Sequence, residues 1–105
     1  NPTKNTISPR VKHIISYINN NFTKNITLDE LEKQFYISKY HLCHLFLQST
    51  GLTIHQFITK KRLALAKDLI DSGKSISEAA RISGFNTYSS FYRAYVNEHN
   101  QAPKK

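Results

Sequence analysis

Long apolar runs are missing from this chain. The longest is Leu63-Ala64-Leu65-Ala66, far short of the roughly 20 residues that span a bilayer, so no membrane helix is expected. The start, Asn1-Pro2-Thr3-Lys4-Asn5-Thr6, is polar and shows no apolar signal segment. A single cysteine, Cys43, cannot close an internal disulfide, which fits a reducing cytoplasm. Methionine is absent altogether, and with the polar start this suggests a piece of a longer chain. Acids are scarce too: seven against fifteen basic residues, a net charge of +8. That imbalance favours an anionic partner such as nucleic acid, an acidic membrane or an acidic protein. At 105 residues a chain buries only about 60–65 % of its unfolded surface, enough for a core but not for a deep enzyme cavity.

Glycine and proline number three each and stand where helices should begin or end. Ser8-Pro9 is a cap followed by proline at the first helical position. Val11, Ile14, Ile15, Ile18 and Phe22 then recur at helical spacing, predicting a helix over about 9–21. The spacing predicts further helices over about 28–34, 39–50 (closed by Gly51), 54–71 (capped by Thr53 with Gln56 and stopped at Ser72-Gly73), 76–82 and 87–98. No stretch alternates as a strand would. The expected fold is all-α with about six helices.

One segment is written twice. Thr27-Leu28-Asp29-Glu30-Leu31 returns 48 positions later as Ser75-Ile76-Ser77-Glu78-Ala79. Both copies carry a capping box, Thr27 with Glu30 and Ser75 with Glu78, in which the hydroxyl accepts from a free amide while the Glu reaches back. The first runs through Tyr36-Ile37-Ser38 into the helix from Lys39, the second through Gly84-Phe85-Asn86 into the helix from Thr87. Short helices joined by a tight turn, twice in a small basic chain, predict two helix-turn-helix subdomains, 8–52 and 73–105. Residues 53–72 form the linking helix and 1–7 a flexible polar linker. A helix of that length is a rod of roughly 27 Å, compatible with major-groove faces about 34 Å apart if the duplex bends slightly.

At about 100° per residue, Leu42, Leu45 and Phe46 form the core stripe of the third helix. Opposite lie Tyr40, His44 and Leu47, flanked by Cys43, His41 and Gln48. In the sixth helix Phe91, Ala94 and Tyr95 face the core, with Ser89, Arg93 and Val96 opposite and Tyr92 beside them. Neither outer face carries an acid until Glu98, as phosphate demands. Arg93 can donate two bonds to guanine O6 and N7; the competing reading pairs it with Asn97 or Glu98. His44 can donate one bond to a base or phosphate, or stand solvated. Tyr40 and Tyr92 can stack on sugars or bond phosphates. Ser38 and Asn86 are helix caps whose neighbouring amides can also hold a phosphate, with Lys39 and Thr87 placed to help. Lys60, Lys61 and Arg62 make the densest basic cluster, a solvated face unless Arg62 pairs with Asp68 or a carbonyl.

Other readings have less to stand on. His41, Cys43 and His44 are near in sequence, but His41 and Cys43 project about 160° apart on a helix, so they cannot converge on a metal. No phosphate loop, paired carboxylates or nucleophile–base pair suggests catalysis. A helical module using the same basic surface on an acidic protein is the remaining alternative.

In order and spacing, these motifs resemble the DNA-binding domain of the AraC/XylS transcriptional regulators over about residues 8–103. The carrying pieces are Ile37-Ser38-x-x-x-Leu42-x-x-Leu45-Phe46 with Thr50-Gly51, and Arg62-Leu63-x-x-Ala66-x-x-Leu69-Ile70. Ser75-Ile76-x-Glu78-x-Ala80, Gly84-Phe85-x-x-x-Ser89-x-Phe91 and Pro103 complete them. The resemblance implies two helix-turn-helix units entering adjacent major grooves of a promoter. Base readout then falls to Tyr40, Cys43, His44, Ser89, Tyr92 and Arg93, and phosphate contact to Ser38, Lys39, Gln48, Asn86, Thr87 and Tyr88. It also implies contact with RNA polymerase and an upstream sensor or dimerisation domain; a cytoplasmic location is expected from the lone cysteine, and no cofactor is expected. Departures are visible. Glu32 stands where the family favours alanine, so it must splay outward or find a partner. His44 replaces a stronger donor, Leu47 and Val96 fall where lysines are frequent, and Asn100 stands for a glycine. Weaker phosphate clamping is expected.

Overall fold

A computed structural model describes residues 8–103, which form six helices and no strands. They are α1 (Pro9–Asn21), α2 (Leu28–Phe35), α3 (Lys39–Thr50), α4 (Ile54–Asp71), α5 (Ile76–Ser83) and α6 (Tyr88–His99). The all-α expectation holds, and each boundary lies within a residue of its expected place. The expected linker at 1–7 lies outside the described residues.

Local chemistry accounts for the ends. Ser8 Oγ accepts from the Val11 amide at 3.2 Å, with Pro9 in the first helical position. At α4 both halves of the capping box close: the Thr53 amide donates to Gln56 Oε1 and the Gln56 amide to Thr53 Oγ1, each at 3.0 Å. Thr27 and Ser75 accept from the amides of Glu30 and Glu78, both at 3.1 Å. The Glu30 carboxylate does not reach back, however; it takes the hydroxyl of Tyr17 on α1 instead. That bond ties α1 to α2, and the carboxylate raises the Tyr17 pKa above its ordinary value. Asn100 closes α6 in the left-handed region (φ 58°), donating its amide to the Val96 carbonyl. Its short polar side chain tolerates the geometry that a glycine would otherwise supply.

The chain divides into two compact units. One contains the described residues up to Asn21 with Ile26–Phe57; the other contains Phe22–Asn25 with the described chain from Ile58 onward. Two features mark this division. The first turn of α4 belongs to the first unit and the rest of that helix to the second. The four residues between α1 and α2, distant in sequence, belong to the second unit.

In the first unit Val11, Ile14, Ile18, Leu31, Leu42 and Phe46 are fully buried. The ring of Phe46 meets that of Phe57 edge-on at 5.4 Å. The core of the second unit is Leu63, Ala66, Ile70, Ala79, Ala80, Phe91 and Tyr95. Removing a side chain as large as Phe46 or Phe91 from such a core typically costs about 3–5 kcal/mol. These two cores hold the outer faces of α3 and α6 toward solvent.

Arg62 explains how the second unit keeps Phe22–Asn25. Its Nε donates to the Phe22 carbonyl at 2.7 Å and its Nη2 to the Lys24 carbonyl at 2.9 Å. Burial pulls the guanidinium pKa below its ordinary value. Of the two partners weighed from sequence, the carbonyl is the one found. Gly84 sits against the same place: a Cβ there would lie 2.9 Å from Arg62 Nε and 2.9 Å from the Thr23 Cα.

Candidate nucleic-acid interface

In the first unit α2 packs on α3, and a tight turn joins them. Ser38 caps α3, its hydroxyl accepting from the His41 amide at 3.3 Å. With Leu42 and Phe46 buried, Tyr40, His41, Cys43, His44, Leu47 and Gln48 are all exposed. The expected face is therefore assembled as one surface. Tyr40 is 80 % exposed, and its ring stacks parallel to that of His44, with centroids 6.0 Å apart and planes 10° apart.

Lys39 is less available than its position suggested. Its Nζ lies 2.6 Å from Asp29 Oδ1 at the start of α2. The hydrogen bond to Asp29 raises the Lys39 pKa and lowers that of Asp29. Glu32 is half-buried and makes no side-chain hydrogen bond or ion pair among the described residues. Its charge also helps to raise the Lys39 pKa.

In the second unit α5 packs on α6. Asn86 is not the cap of α6. Thr87 is: its Oγ1 accepts from the Ser90 amide and donates to the Ser90 hydroxyl, each at 3.0 Å. The two copies explain why. They run 48 positions apart through Ile37 and Phe85, whose amides bond Glu32 and Ala80 alike, but 49 apart at the caps Ser38 and Thr87. Asn86 is the extra residue in a turn one position longer, and it is exposed.

Ser89, Tyr92 and Arg93 lie on the exposed face of α6, while Val96 is half-buried. Tyr88, 48 % exposed, approaches Tyr92 at 6.3 Å between ring centroids. Arg93 has no hydrogen-bond or ion-pair partner among the described residues. Glu98, its competing partner, is held by Lys60 Nζ at 3.0 and 3.1 Å. The basic cluster is thus dispersed: Lys60 is ion-paired, Lys61 is half-buried and Arg62 is bound to carbonyls.

Tyr36 escaped the sequence reading. It is 91 % exposed and closes α2 in the left-handed region, at φ 54°. The signal was present, because Gly84 occupies the matching position of the second copy. Among the described residues no group of three His, Cys, Asp or Glu side chains gathers as a metal site, and no helix is long and apolar enough to cross a membrane.

Residues 31–105 match the family described as "Helix-turn-helix domain". The chain is 33 % identical over 93 residues to "Probable transcriptional regulator LumQ" of Photobacterium leiognathi, covering 88 % of this chain but 38 % of that protein. It is 31 % identical over 97 residues to a helix-turn-helix-type transcriptional regulator of Staphylococcus aureus (strain COL) named as uncharacterized, covering 91 % and 13 % respectively. The chain thus spans well under half the length of these relatives. Among solved structures, the C-terminal domain of AraT, a response regulator from Geobacillus stearothermophilus, superposes with a TM-score of 0.86 at 25 % identity, over 93 % of this chain and 83 % of that one.

Proposed function

Since this chain belongs to the AraC/XylS helix-turn-helix family of transcription regulators, we propose that it binds double-stranded DNA in a sequence-specific way, presenting α3 and α6 to adjacent major grooves of a promoter. In this reading 8–52 and 73–105 are the two subdomains and 53–72 the helix that links them. Base edges are read by Tyr40, Cys43, His44, Ser89, Tyr92 and Arg93. Phosphates are held by Ser38, Lys39, Gln48, Asn86, Thr87 and Tyr88, with Lys39 exchanging Asp29 for the backbone.

One observation carries the reading. Both outer faces are free of acid, and two acids at their edges are held by basic partners, Asp29 by Lys39 and Glu98 by Lys60. In a chain of net charge +8 that pattern suits a polyanion. The chain works in the cytoplasm without cofactor or catalysis, alongside RNA polymerase and an upstream sensor or dimerisation domain.

Selection of bound sequences from a random duplex pool tests this. Two short enriched blocks about one helical turn apart are expected. A single block would overturn the double insertion, and no enrichment would overturn sequence-specific binding.

A further inference from the structure

The outer faces of α3 and α6 offer different chemistry. On α3, Tyr40, His44 and Leu47 follow the i, i+4, i+7 spacing and fall within about 60° of one another. Leu47 is 46 % exposed, and the stacked Tyr40–His44 rings extend its apolar surface toward the start of the helix. Strong base-reading donors are scarce around this strip. Helix α3 contains no arginine and no asparagine, and its one lysine is drawn to Asp29. Its one amide side chain, Gln48, lies near the far end. On α6, by contrast, Arg93 is exposed and without a partner among the described residues, and the aliphatic Val96 is half-buried.

The major groove sorts these two surfaces. Guanine is read by Arg or Lys on O6 and N7 and adenine by Asn or Gln on N6 and N7. Thymine alone presents an apolar group, its C5 methyl. A solvent-facing hydrophobic strip with few donors has that methyl as its one matching feature.

We propose that the first unit selects its block of the DNA site through thymine 5-methyl groups packed on Leu47 and on the Tyr40–His44 pair, while the second unit reads guanine through Arg93. The inference rests on the DNA-binding reading above and assigns a different base chemistry to each unit. Burying one methyl changes affinity about fourfold.

A uracil scan tests it without altering the protein. In the duplex enriched by selection, each thymine is replaced in turn by deoxyuridine, which pairs identically and lacks only the methyl. Affinity falls about fourfold per effective position, at positions confined to one block. Leu47→Ala binds the thymine duplex more weakly and loses discrimination at the position that Leu47 covers; Arg93→Ala keeps the full uracil penalty. Equal affinity for the thymine and uracil forms at every position would overturn the inference while leaving sequence-specific binding intact. So would a Leu47→Ala protein with an unchanged thymine-to-uracil ratio throughout. Failure to enrich any sequence would remove the DNA-binding reading itself, and the inference with it.

Discussion

Lys60 on α4 binds Glu98 on α6 through both carboxylate oxygens, and Arg93, five residues before Glu98, has no acid partner among the described residues. On the helix the two side chains project about 140° apart, so Glu98 is a poor partner for the guanidinium, and Lys60 holds it in any case. Arg93→Ala should therefore weaken binding to the preferred site by about 1–3 kcal/mol while sparing random duplex. Titrations on both duplexes check it; equal losses on the two would refute base readout by Arg93.

Replacing Asp29 by Asn frees Lys39 and removes a negative charge from the edge of the α3 face. Affinity for any duplex should rise, because Lys39 no longer has to leave Asp29 to reach a phosphate, while the slope of log K against log salt stays nearly unchanged. Acid does the same by another route. The Asp29 pKa is lowered by the Lys39 bond, so the ion pair persists as pH falls past the ordinary carboxylate range of about 4 and is lost only through the lower, folded value. The stability it contributes is present above that window and disappears below it. At neutral pH, then, the free protein keeps the pair unless Asp29 is substituted.

His44→Arg should strengthen binding to duplexes of any sequence at neutral pH, because it adds a permanent guanidinium, while the uracil penalty at positions covered by the Tyr40–His44 pair shrinks. A gel-shift titration showing no change or a loss would remove His44 from the groove.

Tyr36 and Gly84 occupy matching left-handed positions, and their substitutions should act in opposite directions. Left-handed geometry costs a residue with a Cβ about 1–2 kcal/mol, whereas glycine's extra chain entropy costs about 0.5–1 kcal/mol. The ring of Tyr36 is almost wholly in solvent, so Tyr36→Gly should stabilise the fold by roughly 0.5–1 kcal/mol. Gly84→Ala should cost about 1–3 kcal/mol, because its methyl group also meets the Thr23 backbone and Arg62. Denaturant melts of the two variants decide both.

Capping residues, glycine stops and helical spacing made the six helices legible to within a residue, because each is a local signal. The inward and outward faces of α3 and α6 followed from periodicity alone, except that Val96 is half-buried. Contacts between elements were harder to read. Thr27 was recognisable as a cap, but nothing near Glu30 in sequence announces Tyr17. Lys39 looked free because its partner lies on the preceding helix, ten residues back. Asn86 was misjudged as a cap because the repeat shifts by one position inside the turn. The shift was visible in the sequence, since Tyr40 and Ser89, each first on its outer face, stand 49 positions apart while Thr27 and Ser75 stand 48 apart.

The carbonyls of Phe22 and Lys24 are the only acceptors the described residues offer Arg62, and they come from the opposite half of the sequence. A fragment trimmed to begin at Thr53 would keep every helix of the later half yet leave Arg62 without its carbonyl acceptors and Gly84 without the Thr23 backbone it packs against. The second unit takes four residues from the opposite half of the sequence, so a cut between the halves leaves that lobe incomplete.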